Sequence, residues 1–106
     1  MTKVYYREYY GRTLISVEGH SGFAPSGSDP VCAGISTLVF TLINSLTDEE
    51  GDGRLKLHRR VIRDGFALLE IEKFDFSKER TEGILSTFLT GAMMLQESYP
   101  DYIRVE

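Results

Sequence analysis

What most limits the fold of this chain is the order in which its hydrophobic period changes. Residues 3–9 (KVYYREY) and 13–18 (TLISVE) are rich in Tyr, Val, Ile and Thr and meet across a short turn at Gly11, which predicts a β-hairpin. From Val31 the spacing turns helical: Val31, Ile35, Leu38, Val39, Leu42 and Leu46 recur every three or four residues, so 30–47 reads as an amphipathic helix. The acidic run 47–53 (TDEEGDG) is expected to end that helix in a solvated turn. Leu55 and Leu57 then alternate with Arg54, Lys56 and His58. Beyond the turn signal Arg63-Asp64-Gly65, Ala67, Leu69 and Ile71 alternate with Phe66, Leu68, Glu70 and Glu72. This is a second hairpin. A long helix is expected over about 77–98, with Ile84, Leu85, Phe88, Ala92, Leu95 and Tyr99 on one face; Pro100 closes it, and 102–106 (YIRVE) is material for one last short strand. The order ββαββα(β) predicts an α+β fold, a two-layer sandwich with two helices on one face of a mainly antiparallel sheet.

Composition narrows the function. At 106 residues the chain has room for one domain, 1–106. A formal net charge of −4 and a pI near 5.2 argue against affinity for phosphate backbones, so direct nucleic-acid binding is not expected. The one basic stretch, RLKLHRRVIR at 54–63, reads as a solvated face that includes Arg54, Lys56, His58 and Arg60. No apolar stretch approaches the roughly 20 residues of a membrane span, and MTKVYYREYYGR has no secretory core. The single cysteine cannot form an internal disulfide. A cytoplasmic protein without a membrane partner is therefore expected. One Cys and two His make a poor metal set, and neither metal nor cofactor is called for.

The informative stretch is the loop-to-helix junction, GHSGFAPSGSDP at 19–30. Asp29 is a favoured N-cap, and Pro30 falls at the first helical position, where its missing N–H costs nothing. Cys32 is then in the first helical turn, where free backbone N–H groups and the helix dipole favour a thiolate. Ser36 lies one turn further on the same face. His20 opens the loop, which is able to fold it back over the thiol. A cysteine with a reachable histidine is the minimal activated nucleophile. Taken singly, each residue has a plainer role: Cys32 as a small buried hydrophobe, His20 as a surface group, Asp29 as a cap, the glycines as turns.

Together these residues match something more specific. The run Gly19-His20-Ser21-Gly22-Phe23, then Gly27, then Asp29-Pro30-Val31-Cys32-Ala33-Gly34-Ile35-Ser36 resembles the signature of the ribosomal-processing cysteine protease family, Prp. There a GH(A/S)G(Y/F) loop leads into a DxVCAxxS helix start. The resemblance implies a homodimeric bacterial endopeptidase that removes a short N-terminal extension from a large-subunit ribosomal protein, protein twenty-seven, after a pair of aromatic residues. It implies Cys32 as nucleophile and His20 as general base, with Asp29, Ser36, Gly19 and Gly22 in support. Pro30 departs from the Ile or Leu usual at its position. The alternative is a non-catalytic ribosome-assembly or peptide-binding module on the same fold. The Gly- and Ser-rich segment 21–30 is expected to be a loose lid that orders on peptide binding.

Overall fold

Five strands and two long helices make up the computed structural model, which describes all of residues 1–106. The strands are β1 (Thr2–Tyr9), β2 (Arg12–Glu18), β3 (Leu55–Arg63), β4 (Phe66–Lys73) and β5 (Ile103–Val105); the helices are α1 (Pro30–Gly51) and α2 (Lys78–Ser98), with a short 3-10 turn at Asp75–Ser77 leading into α2. The sheet order is β3-β4-β2-β1-β5. Every pairing is antiparallel except β1 with β5. This is the expected α+β sandwich in the expected order ββαββαβ, and residues 102–106 do supply the last strand.

Register explains the two layers. Paired residues share a face, so Val4, Val17 and Ala67 form one inward row and Tyr6, Ile15 and Leu69 the next. These rows meet Val31, Ile35, Val39, Leu42, Ile43 and Leu46 of α1 and Leu85, Phe88 and Ala92 of α2 in one hydrophobic core. The helices touch each other where glycine leaves room: a Cβ on Gly91 would stand 2.7 Å from Leu38 Cδ2, and one on Gly34 would stand 3.2 Å from Leu95 Cδ2. The opposite face of the sheet carries the alternate residues, including Tyr5, Leu14, Val61 and Leu68, all half-buried.

Three sequence expectations are corrected here. First, α1 does not stop at 47 but runs to Gly51, and Glu49 is buried rather than solvated. Its carboxylate turns inward to accept from Arg54 and Arg80 at once. The Arg54 hydrogen bond, with burial opposing it, keeps that carboxyl below its ordinary range. Second, at 22 residues and a mean hydropathy of 1.5, α1 does reach the length and composition of a membrane span. One of its faces is packed on the sheet, which accounts for that apolar character. Third, a β-bulge between Leu57 and Arg59 moves the cations of β3 onto different faces. Arg59, not His58, comes opposite Glu70 and binds it at 2.7 Å, Arg60 crosses to the side of Leu69, and His58 is largely covered with Nε2 2.8 Å from Glu72. Within β3, His58 and Arg59 are thus matched by Glu72 and Glu70 of β4, while Lys56 and Arg60 stay exposed.

Candidate active site

The junction between β2 and α1 is held by Asp29. Its buried carboxylate takes four donors: Oδ1 accepts from Val31 N–H at 2.9 Å and Cys32 N–H at 3.0 Å, and Oδ2 accepts from Ser21 Oγ–H at 2.5 Å and Ala24 N–H at 3.1 Å. One oxygen therefore caps the helix while the other ties down the loop. Burial alone would raise the Asp29 pKa, but the hydrogen bonds from Ser21, Cys32, Ala24 and Val31 outweigh it and hold the carboxyl well below the usual carboxylate range.

This arrangement changes the reading of the helix terminus. The N–H groups of Val31 and Cys32 are occupied by Asp29, so they are not free to face the thiol. The backbone donor that does reach sulfur belongs to the loop: Ser21 N–H lies 3.4 Å from Cys32 Sγ, and Ser21 Oγ lies 3.6 Å from it. Ser21, itself buried, thereby links the carboxylate of Asp29 to the thiol of Cys32. The sequence marks it only as one letter of a motif.

The loop is also better anchored than its composition suggests. Besides the two bonds to Asp29, Ser28 N–H donates to Pro25 O at 3.0 Å, closing a turn. Phe23 meets Tyr99 and Tyr102 edge to face, with centroids 5.2 and 5.1 Å apart. A carboxylate and an aromatic clasp supply the order that Gly, Ser and Pro lack.

Two adjoining cavities open on this junction. The larger, of about 550 Å³, is bounded by the loop and includes His20, Gly22, Asp29, Cys32, Ser36 and Asp64 in its walls. The other, about 370 Å³ and mostly apolar, is lined by Val17, Ile35, Val39, Phe40, Ile62 and Phe66 together with His20, Cys32, Ser36 and Asp64. Cys32, His20 and Ser36 are thus brought to one place, with Cys32 half-buried and the other two exposed. No hydrogen bond joins Cys32 to His20; the imidazole instead has Nε2 3.6 Å from Asp64 Oδ2, on the β3–β4 turn. Gly19 and Gly22 are the points at which the chain bends around His20, with φ of +87° and +76°. At Gly19 a side chain would also collide with Met1 O at 2.5 Å.

A half-buried thiol, a backbone N–H on its sulfur and an imidazole on the rim of the same cavity are the parts needed for nucleophilic attack on a carbonyl. The apolar cavity beside them suits large side chains of an extended peptide. No group of three or more His, Cys, Asp and Glu side chains is gathered in a way that would hold a metal ion.

Comparisons with known proteins point to one family. The family described as cysteine protease Prp matches residues 1–104. The ribosomal processing cysteine protease Prp of Staphylococcus aureus is 28% identical over 96 residues, covering 88% of this chain and 84% of its own. The crystal structure of that organism's essential ribosomal processing protease Prp, in complex with a covalently linked product peptide, shares the fold, with a TM-score of 0.76 at 24% identity over 100% of this chain and 98% of the other. SMU.848 from Streptococcus mutans superposes with a TM-score of 0.69 at 26% identity, over 100% and 92% of the two chains.

Proposed function

The chain belongs to the cysteine protease Prp family, and on that footing we propose that it removes a short N-terminal extension from a bacterial large-subunit ribosomal protein, protein twenty-seven, by a Cys32 thiolate with His20 as general base. The observation that carries the reading is the meeting of Cys32 and His20 on the walls of the same two cavities. In this scheme His20 takes the Cys32 proton and the sulfur attacks the scissile carbonyl. Collapse of the tetrahedral intermediate forms a thioester and expels the new amine, which takes its proton from His20. Water, deprotonated by the same imidazole, then attacks the thioester, and the returning proton restores the thiol. Asp29 supports the reaction by holding the Ser21 N–H on the sulfur, and Gly19 and Gly22 by letting the chain turn at His20. Ser36, exposed on the shared wall, is assigned to contact with the bound peptide.

The test is direct. A peptide spanning the ribosomal protein's N-terminal extension, incubated with the protein and read by mass spectrometry, is expected to be cut once, after the aromatic pair. An intact peptide would reject this substrate. We further propose that the protein works as a homodimer in the cytoplasm, where its ribosomal substrate is made. The reason lies in the sheet, whose outer face is left without a layer over Tyr5, Leu14, Val61 and Leu68. Light scattering at micromolar concentration should give a mass near twice 12.0 kDa; a monomer mass would count against the dimer.

A further inference from the structure

The β3–β4 turn does more than close a hairpin. It lies against the imidazole of His20, with Gly19 N–H donating to Gly65 O at 2.8 Å to fasten the two loops together. A Cβ on Gly65 would stand 2.9 Å from His20 Nε2, closer than from either ring carbon beside it, at 3.4 and 3.5 Å. The Nε2 edge of the ring therefore faces the turn. Asp64, the residue before, brings Oδ2 to 3.6 Å from that nitrogen and shares both cavities with Cys32. The other charged groups around the two cavities are committed elsewhere or chemically unsuited. Arg63 stacks its guanidinium 4.9 Å over the Phe66 ring, and Asp29 is occupied by its four donors. The thiol of Cys32 is the group to be deprotonated.

We propose that Asp64 is a positioning residue for the reaction, accepting the Nε2–H of neutral His20 so that the Nδ1 lone pair is left for the Cys32 thiol. A carboxylate on one ring nitrogen selects the tautomer in which the other nitrogen is the base. When Nδ1 takes the thiol proton, the ring becomes a cation beside the Asp64 carboxylate; when Nδ1 gives that proton to the leaving amine, the neutral Nε2–H form returns. The contact, long and open to solvent here, closes to hydrogen-bond length as a bound peptide displaces water from the cavities. This inference rests on the reading of His20 as the base.

The experiment pairs nitrogen NMR of the histidine rings in the whole protein with kinetics on the extension peptide. The spectrum of His20→Ala identifies the His20 signals against those of His58. In the wild type, with the ring neutral, the Nε2–H form is expected to predominate, and Asp64→Asn should weaken that bias. The same variant should lose at least about tenfold in kcat with KM changed less than about twofold, and Asp64→Glu should recover most of the loss. A predominant Nδ1–H form in the wild type, or a wild-type kcat in Asp64→Asn beside an inactive His20→Ala, would overturn the role of Asp64 alone. Cleavage by His20→Ala at the wild-type rate would remove the general base and this inference with it.

Discussion

Replacing Cys32 with alanine is expected to abolish peptide cleavage, by at least about four orders of magnitude in kcat/KM, while fold and peptide binding persist. No other thiol exists in the chain to substitute for it. The structural cost is small, because the position is helical and half-buried and alanine is the best helix former. What is lost around it is the sulfur acceptor for Ser21 N–H, while Asp29 still accepts from Ser21 Oγ–H and keeps the loop fastened. A melting temperature near that of the wild type, together with retained affinity for the uncut peptide, would separate lost chemistry from lost structure. Cys32→Ser should be similarly inactive, since a hydroxyl is far harder to ionise than a thiol and Ser21 N–H with one imidazole does not make up the difference. Turnover by either pure variant at near the wild-type rate would end the assignment of Cys32 as nucleophile.

How much of this was legible beforehand follows from which contacts are local. The first hairpin is rich in Tyr, Val, Ile and Thr, Leu55 and Leu57 alternate with polar residues at the start of the second, and Val31 to Leu46 keep helical spacing, so the elements and their order could be read directly. The end of α1 could not. Asp48, Glu49 and Glu50 look like a solvated turn, yet Glu49 is drawn into the protein by Arg54 and Arg80, and the second of these comes from the other helix. The face assignment on β3 failed for a related reason. One bulged residue shifts every side chain after it, and nothing in RLKLHRRVIR announces a bulge. At the site, His20, Asp29 and Cys32 lie within one short segment whose spacing carries a signal. Ser21 was hidden by being adjacent to His20 and unremarkable in type. Asp64 sits in a turn where an aspartate is expected for its own sake, and only the docking of that turn on Gly19 brings it to the imidazole. The order of the loop likewise depends on Tyr99 and Tyr102, at the far end of the chain.

Asp29 concentrates the remaining energetics, because its two oxygens serve different parts of the site. Asp29→Asn should keep Oδ1 as the helix cap for Val31 and Cys32 but present an amide nitrogen, a donor, where Ser21 and Ala24 also donate. That variant should fold with a melting temperature only a few degrees lower, yet lose on the order of tenfold or more in kcat/KM, as Ser21 leaves the thiol. Asp29→Ala removes both functions and should lower the melting temperature by roughly 5–10 °C as well, because the helix also loses its cap. Equal activity in Asp29→Asn and the wild type would show that the Ser21 link does nothing for the reaction. The pH dependence has a fixed sign. Folding lowers the Asp29 pKa, since the four hydrogen bonds to its carboxylate overcome the burial that would raise it, so the ionised form is the one that stabilises the native state. Its contribution is complete above the ordinary aspartate range and is lost as pH falls from about 4 towards the lower native value. Urea midpoints measured from pH 6 downward should therefore fall more steeply below pH 4 for the wild type than for Asp29→Ala, in which this carboxyl is absent. Parallel curves would mean that the Asp29 carboxylate is not held in its charged form by the fold.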